Sequence, residues 1–236
     1  MVVLLLALFY FGFLVYKSHQ TSRDYKRSSY YKQTNNPFWY VRRDTGMYGE
    51  YLTYHHLKEY EKDGGRFLFN VYIPTGEGET TEIDVMLIST RGIFVFESKN
   101  YSGWIFGSEK QHHWVQILPH GYGQSHKEYF YNPILQNRSH IKHLQNYIGI
   151  DIPIKSIIVF SERCTLKNVQ FQNDTAQIIN RQNITNTVFS LWNQMPPDYL
   201  SKADIDNLFK YLYPFTQVSN ETKRQHIEHI KKQQQP

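Results

Sequence analysis

Three charged side chains lie inside two stretches of sequence that otherwise have the composition of buried β-strands. Residues 82–100, EIDVMLISTRGIFVFESKN, contain two runs rich in Val, Ile, Leu and Phe, separated by the turn-forming residues TRG. Asp84 lies in the first run, and Glu97 and Lys99 lie in the second. Strands that bury aliphatic side chains seldom carry charges unless these are paired or used. We therefore expect a fold in which this hairpin brings charges to a site.

The register of the hairpin decides whether the three charges share one face of a sheet. Glu97 and Lys99 are two residues apart, so their side chains point to the same face. A two-residue Arg-Gly loop would place Asp84 opposite Lys99, on that face. A three-residue loop would place Asp84 opposite Ser98, on the other face. The sequence alone leaves both registers open.

Two carboxylates and one ammonium group, if they converge, suit metal-assisted hydrolysis of a phosphodiester. Carboxylate oxygens are hard ligands for Mg²⁺ or Mn²⁺. A lysine can stabilise the negative charge that develops on the phosphorus oxygens in the transition state. The alternative is an ion pair between Glu97 and Lys99 at the surface, which is the commoner arrangement for an isolated Glu-x-Lys on a strand. Asp84 upstream weighs against that alternative without excluding it.

The segments around the hairpin predict the order helix, three strands, helix and strand. These elements are a helix in residues 46–63, strands in 66–74, 81–89 and 93–100, a helix in 132–149 and a strand in 152–161. Residues 161–218 are predicted to form an α/β extension that packs on this domain, and residues 219–236 a charged tail. The chain is thus of the α/β class.

Four motifs in this order resemble the nuclease-related domain (NERD) proteins of the PD-(D/E)XK restriction-endonuclease-like superfamily. The motifs are G-x-x-G-E at residues 46–50, EIDVMLIS, GIFVFESKNYSGWIFG and NPILQNRSH, and they span about residues 44–160. The resemblance implies a restriction-endonuclease-like core made of a helix, an antiparallel β-meander, a helix and a strand.

The resemblance also implies a role for five side chains. Asp84 and Glu97 would bind the metal, Lys99 would be the catalytic lysine, Glu50 an accessory acid and Gln136 a further polar contact. The implied cofactor is Mg²⁺ or Mn²⁺, and the implied reaction is hydrolysis of phosphodiester bonds in nucleic acid, with DNA as the expected substrate. A catalytically silent module of the same fold, which binds nucleic acid or a protein partner, is the alternative.

The net charge of +5 does not by itself indicate a nucleic-acid-binding domain. Residues 17–43 hold seven Lys and Arg against one Asp, a net charge of +6, whereas residues 44–236 hold 19 basic and 20 acidic residues, a net charge of −1. The predicted domain is therefore not basic as a whole. Its near-neutral charge favours the binding module, and the intact Asp, Glu and Lys trio favours the enzyme.

The first 16 residues are almost wholly apolar, and the basic segment follows them. As a helix, residues 2–16 would span roughly 22 Å, less than the roughly 30 Å of a bilayer core. A signal peptide is the rival interpretation, but the run lacks a basic n-region and a small-x-small cleavage site. We predict a single-pass membrane anchor at residues 1–16 with the C-terminal domain in the cytoplasm. Residues 17–43 would be a basic juxtamembrane linker that contacts anionic lipids, or only a solvated spacer.

Histidine and cysteine patterns give weaker indications. His140 and His143, and likewise His226 and His229, have i,i+3 spacing, but no HExxH or Cys-His pattern accompanies them, so no metal site is predicted there. The single cysteine, Cys164, excludes an intramolecular disulfide, and no disulfide-linked partner is expected.

Overall fold

Two β-sheets and a set of α-helices make up the computed structural model, within the residues it describes, which are 10, 20–76, 78–121, 123–172 and 176–233. Residues 20–27 are helical and precede the helices that are labelled below. The strands are β1 (Arg66–Gly76), β2 (Glu79–Ser89), β3 (Gly92–Lys99), β4 (Gly103–Ser108), β5 (His113–Pro119), β6 (Ser125–Tyr131), β7 (Ile154–Phe160), β8 (Cys164–Gln170) and β9 (Gln177–Asn180). The helices are α1 (Ser29–Thr34), α2 (Phe38–Arg43), α3 (Thr45–Leu57), α4 (Pro133–Ile148), α5 (Ile184–Gln194), α6 (Lys202–Leu212) and α7 (Asn220–Gln233). Short 3-10 helices span Lys58–Glu61, Arg181–Asn183 and Tyr213–Thr216.

The main sheet has five strands in the order β1-β2-β3-β7-β9. The pairs β1-β2 and β2-β3 are antiparallel, and the pairs β3-β7 and β7-β9 are parallel. The second sheet has the order β6-β5-β4-β8, with only the β4-β8 pair parallel. The predicted α/β class is confirmed, and α3, β1 to β3, α4 and β7 follow the predicted order of elements.

Helices cover both faces of the main sheet, as a sheet with apolar residues on both faces requires. One face carries an aromatic core, in which rings from the N-terminal helices and α3 pack on phenylalanines of the strands; these include Tyr30, Tyr54, Phe67, Phe69, Phe94 and Phe96. The other face carries an aliphatic core contributed by the strands, α4 and α6; it includes Leu68, Met86, Val95, Leu144 and Ile205. The strand carrying Glu97 and Lys99 is therefore central and buried.

Residues 20–43 differ from the predicted linker, because they are largely helical and pack on the sheet. Tyr25, Tyr30 and Val41 are fully buried in the aromatic core. The charge count pointed to a solvated segment, but tyrosine rings that meet phenylalanines on the sheet stabilise the folded helices through apolar burial. The predicted anchor at residues 1–16 lies outside the described residues, apart from Tyr10. In the part of the chain that the structure describes, no helix is long and apolar enough to cross a bilayer.

The C-terminal third of the chain folds back onto both sheets. Residues 161–218 contribute β8, β9, α5 and α6. The predicted charged tail contains α7, whose His226 is buried with its ring centre 5.4 Å from that of Tyr72. The Nδ1 atom of His226 lies 2.9 Å from the carbonyl oxygen of Thr80 on β2. Helix α7 is thus fixed beside the end of the hairpin that carries Asp84.

Candidate active site

The β2–β3 hairpin has a register that differs from both of those considered from the sequence. Ser89 pairs with Gly92 and Val85 pairs with Phe96, so the two strands are joined by a tight Thr-Arg turn. The next pair in this register is Asp84 with Glu97. Both sequence-based registers were therefore wrong, because each placed Gly92 in the turn, whereas Gly92 pairs with Ser89. The observed register brings the two carboxylates together more directly than either.

Asp84 is anchored to the backbone of the neighbouring strand. Its Oδ2 accepts a hydrogen bond from the backbone N–H of Ser98 at 2.8 Å. Ser98 stands between Glu97 and Lys99, so the Asp84 carboxylate lies beside the segment that carries both of these side chains. The structure thus brings together the three residues that the sequence singled out.

Glu97 is the centre of the polar contacts and is only 1% exposed. The Nζ atom of Lys99 lies 2.7 Å from Glu97 Oε1, and it donates a hydrogen bond to Gln136 Oε1 at 3.1 Å. The Nε2 atom of His140 lies 3.3 Å from Glu97 Oε2, but not in hydrogen-bonding geometry. Within the described chain, Oε2 of Glu97 is therefore a buried acceptor without a hydrogen-bond donor.

Helix α3 brings Glu50 to the same region because Gly49 permits a close approach. A Cβ atom added at Gly49 would lie 2.8 Å from Cβ of Asn100 and 3.0 Å from Oγ of Ser98. A side chain there would force the helix away from the end of β3. The Oε2 atom of Glu50 accepts hydrogen bonds from the Tyr30 hydroxyl at 3.0 Å and from Nδ2 of Asn70 at 3.2 Å.

The carboxyls of Glu50, Asp84 and Glu97 form a group that we call the acidic cluster. Glu50 and Glu97 are buried, and Asp84 is half-buried. Burial raises the pKa of Glu50 to about 8, and the charge of Glu82 adds to this effect. Burial, followed by the charges of Glu97 and Glu50, raises the pKa of Asp84 well above its ordinary value. The carboxyls of the cluster thus repel one another when they are ionised.

Glu97 and Lys99 stabilise each other as an ion pair. Burial alone would raise the pKa of Glu97, but the Lys99 ammonium and the contact with His140 outweigh it and hold this pKa below its ordinary value. Burial would lower the pKa of Lys99, but the facing carboxylate of Glu97 holds it above its ordinary value. Lys99 is therefore a fixed ammonium group at neutral pH.

The chemistry of the acidic cluster fits a hard divalent cation. No group of three or more His, Cys, Asp or Glu side chains in the described residues is arranged to hold a metal ion. Mg²⁺, however, is commonly held by one or two carboxylates, with water and substrate phosphates completing its shell. Oε2 of Glu97 accepts no hydrogen bond from the described residues, and the neighbouring carboxylates disfavour the ionised form of Asp84. A bound divalent cation would stabilise the negative charge on both groups.

His140 is a site residue that the sequence reasoning missed. The i,i+3 spacing of His140 with His143 predicted no site, yet the structure places His140 against Glu97 and within hydrogen-bonding distance of Thr81 Oγ1. The signal that could have found it is the i,i+4 spacing of Gln136 and His140, which puts both on one face of α4.

A cavity of about 570 Å³ opens beside the site. Gln136 and His140 line it on one side, and His226 and His229 of α7 line it on the other. Its volume lies in the range of pockets that hold small organic ligands. A nucleotide-sized group can therefore reach the wall formed by Gln136 and His140.

Comparison with known proteins places this site in a family. The model of the nuclease-related domain matches residues 45–161. A protein of Bacillus anthracis, described only as uncharacterized, is 28% identical over 185 residues, which cover 78% of this chain and 83% of that protein. No solved structure matches the chain. The matched segment contains the acidic cluster, Lys99, Gln136 and His140, and residues 45–161 are accordingly a nuclease-related domain, through which this chain belongs to the NERD family.

Proposed function

We propose that this protein is a metal-dependent nuclease that hydrolyses phosphodiester bonds of nucleic acid, with DNA as its substrate. The observation that carries the proposal is the acidic cluster, in which the buried carboxyls of Glu50 and Glu97 and the half-buried carboxyl of Asp84 accompany the ammonium group of Lys99. Buried charges that serve only the fold are ordinarily matched by opposite charges. An excess of carboxyls over ammonium groups is better explained by a cation that binds there during function and favours their ionised form.

Asp84 and Glu97 would hold the Mg²⁺ or Mn²⁺ ion. When bound, such an ion would polarise a phosphodiester and lower the pKa of a coordinated water. Gln136 and Glu97 together fix the Nζ atom of Lys99, whose side chain is only 15% exposed. Lys99 therefore needs little reorganisation to stabilise negative charge on the phosphate oxygens. Because its pKa is raised, it acts as a positive charge and not as a base.

Glu50 is assigned the role of an accessory acid. With a pKa of about 8, its carboxyl holds a proton at neutral pH in the metal-free protein. The hydrogen bonds from Tyr30 and Asn70 keep its carboxyl oriented. It can release that proton when positive charge enters the cluster.

The test is cleavage of plasmid and linear DNA with and without Mg²⁺, with RNA as a parallel substrate. Lys99→Ala should lower the rate by about 10²–10³, because it removes one preorganised charge that acts mainly in the transition state. Nucleic-acid binding measured in Ca²⁺ should hardly change. Lys142→Ala, which alters an exposed lysine on α4, is the matched control and should cleave like the wild type.

The two proposed metal ligands should behave differently from Lys99. Asp84→Asn and Glu97→Gln should also abolish cleavage, but by weakening the metal site, so excess Mn²⁺ should partly restore them and should not restore Lys99→Ala. Wild-type protein that binds nucleic acid but never cuts it with any divalent ion would instead establish the binding module.

We further propose that the domain is tethered to the cytoplasmic side of a membrane. The support is the apolar run at residues 1–16, followed by the basic segment at residues 17–43. Trp39 on α2 is exposed, and the guanidinium of Arg43 lies 5.5 Å from the centre of its ring. Exposed tryptophan with arginine is the combination favoured at the headgroup level of a bilayer.

A further inference from the structure

One face of the second sheet carries apolar and aromatic side chains where a solvated face is expected. Trp104 pairs with Ile117, Phe106 pairs with Val115, and Val115 pairs in turn with Tyr129, so these five side chains share a face. Trp104 is 41% exposed and Tyr129 is 70% exposed. The opposite face supplies the core with Ile105, Trp114 and Phe130. An antiparallel sheet with one face in the core normally turns polar residues outward, so this face is an exception.

The charges on this face are all positive. Lys127 pairs with Ile117 and lies on the same face, and the Nζ atom of Lys167 is 5.5 Å from the centre of the Trp104 ring. Among the described residues of β4, β5, β6 and β8, no outward position holds Asp or Glu, since Glu128 pairs with Gln116 on the other face. We call this the outer face (Trp104, Phe106, Val115, Ile117, Lys127 and Tyr129).

We propose that the outer face binds a single-stranded stretch of nucleic acid. This proposal rests on the proposed nuclease function and names the form of the substrate. Exposed aromatic rings stack on unpaired bases, and nearby lysines neutralise phosphates, which is the physical basis of sequence-tolerant single-strand binding. The bases of a duplex present no free ring face to such a surface. The combination of rings and lysines therefore selects single strands.

The position and spacing of the rings agree with this assignment. Trp104 follows Lys99 by five residues, so the two Cα atoms are at most roughly 18 Å apart. Trp104 and Tyr129 lie two strands and two residues apart, or roughly 12 Å, so each ring serves a different base. A second copy of the chain fits this face less well than nucleic acid does, because contact between two outer faces would bring their lysines together.

The test measures binding of the full chain to a fluorescein-labelled oligothymidylate by fluorescence anisotropy in EDTA, so that no cleavage occurs. Trp104→Ala and Tyr129→Ala should each raise the dissociation constant at least about fivefold. This factor is the lower end of the loss of affinity expected when one base no longer stacks on an aromatic ring. Lys127→Gln should reduce the slope of the logarithm of the binding constant against the logarithm of the salt concentration by about one, the value expected for the loss of one phosphate contact. Phe189→Ala removes an exposed aromatic ring from α5 and should bind like the wild type. Circular dichroism verifies that each variant is folded.

The outcomes separate this inference from the proposed nuclease activity. If folded Trp104→Ala and Tyr129→Ala proteins bind the oligothymidylate as tightly as the wild type, the outer face is not a single-strand surface, whatever the cleavage assay gives. If these variants instead lose binding to anionic phospholipid vesicles, or lose a dimer seen by light scattering, the face belongs to a membrane or a second copy and the proposal is overturned. If they lose oligothymidylate binding while the wild type never cuts, the outer face is supported and the nuclease proposal alone fails.

Discussion

Replacing Glu50 with Gln should make the metal-free protein more stable, and the gain should increase with pH. Glu50 is 8% exposed, and its Oε2 accepts hydrogen bonds from Tyr30 and Asn70. A glutamine amide retains one oxygen that can accept both hydrogen bonds, and it has no charge to bury. The substitution therefore removes the cost of ionising a buried carboxyl while it keeps most of the local contacts.

The sign and size of the effect follow from proton linkage. Burial, with the charge of Glu82 next, raises the pKa of Glu50 from 4.5 to about 8 in the folded protein. The contribution of this group to stability is therefore fully present below pH 4.5 and is lost as the pH rises towards 8. At about 1.4 kcal/mol per pH unit, the loss is about 3 kcal/mol at pH 7 and about 5 kcal/mol at pH 9.

The measurement is urea unfolding of both proteins, followed by circular dichroism in EDTA at pH 5, 7 and 9. The free energy of unfolding of Glu50→Gln should exceed that of the wild type by about 1 kcal/mol at pH 5, increasing to about 5 kcal/mol at pH 9. Mg²⁺ should reduce the difference, because a cation that binds only the folded wild type stabilises it. Glu228→Gln, an exposed carboxyl on α7, should show no such increase.

Two results would refute this reasoning. A stability difference that stays constant from pH 5 to pH 9 would show that Glu50 is not ionised at a cost in the folded state. A Glu50→Gln protein that is less stable than the wild type at pH 9 would show that the second carboxylate oxygen makes contacts worth more than the charge costs.

Two further predictions concern packing and location. Gly49→Ala should lower the free energy of unfolding, measured in urea, by about 1–3 kcal/mol and should lower cleavage, because the new methyl group meets Asn100 and Ser98. Gly46→Ala on the same helix is the control. Its methyl group meets only a side-chain oxygen of Asp44 at 3.3 Å, so this variant should be nearly as stable as the wild type. The full chain should sediment with membranes, and protease should digest its domain only when the cytoplasmic side is exposed; a soluble, N-terminally cleaved protein outside the cell would instead indicate a signal peptide.

The main sheet was predictable from the sequence, and the second sheet was only partly so. Strands β1, β2, β3 and β7 each contain an apolar run bounded by Gly, Pro or polar residues, and burial on both faces accounts for these runs. Strand β6, SHKEYFY, is largely exposed and has no apolar alternation, so nothing in its sequence identified it as a strand. Its pairing with β5 depends on contacts formed only in the folded chain.

The members of the site were more predictable than its geometry. Asp84, Glu97 and Lys99 stand out because charges in apolar strands are rare, and a local pattern suffices to find them. The register was not predictable, because moving the turn by one residue changes the partner of every side chain. The spacing of Gln136 and His140 on one face of α4 could identify His140, but its contact with Glu97 arises from the packing of α4 against β3 and was not predictable.

A second buried charge near the site shows why the acidic cluster indicates function and burial alone does not. Arg181 is fully buried, but it pairs with Glu162 at 3.1 Å and donates to Oδ1 of Asn100 at 3.3 Å. One positive charge meets one negative charge there, which is sufficient for a structural role between the end of β3 and the 3-10 helix Arg181–Asn183. The acidic cluster sets three carboxyls against Lys99, and burial together with neighbouring carboxylates raises the pKa values of Glu50 and Asp84 above their ordinary range. Sequences depart from good packing chiefly where function gains from the departure, and ionisable carboxyls without a matching positive charge are such a departure.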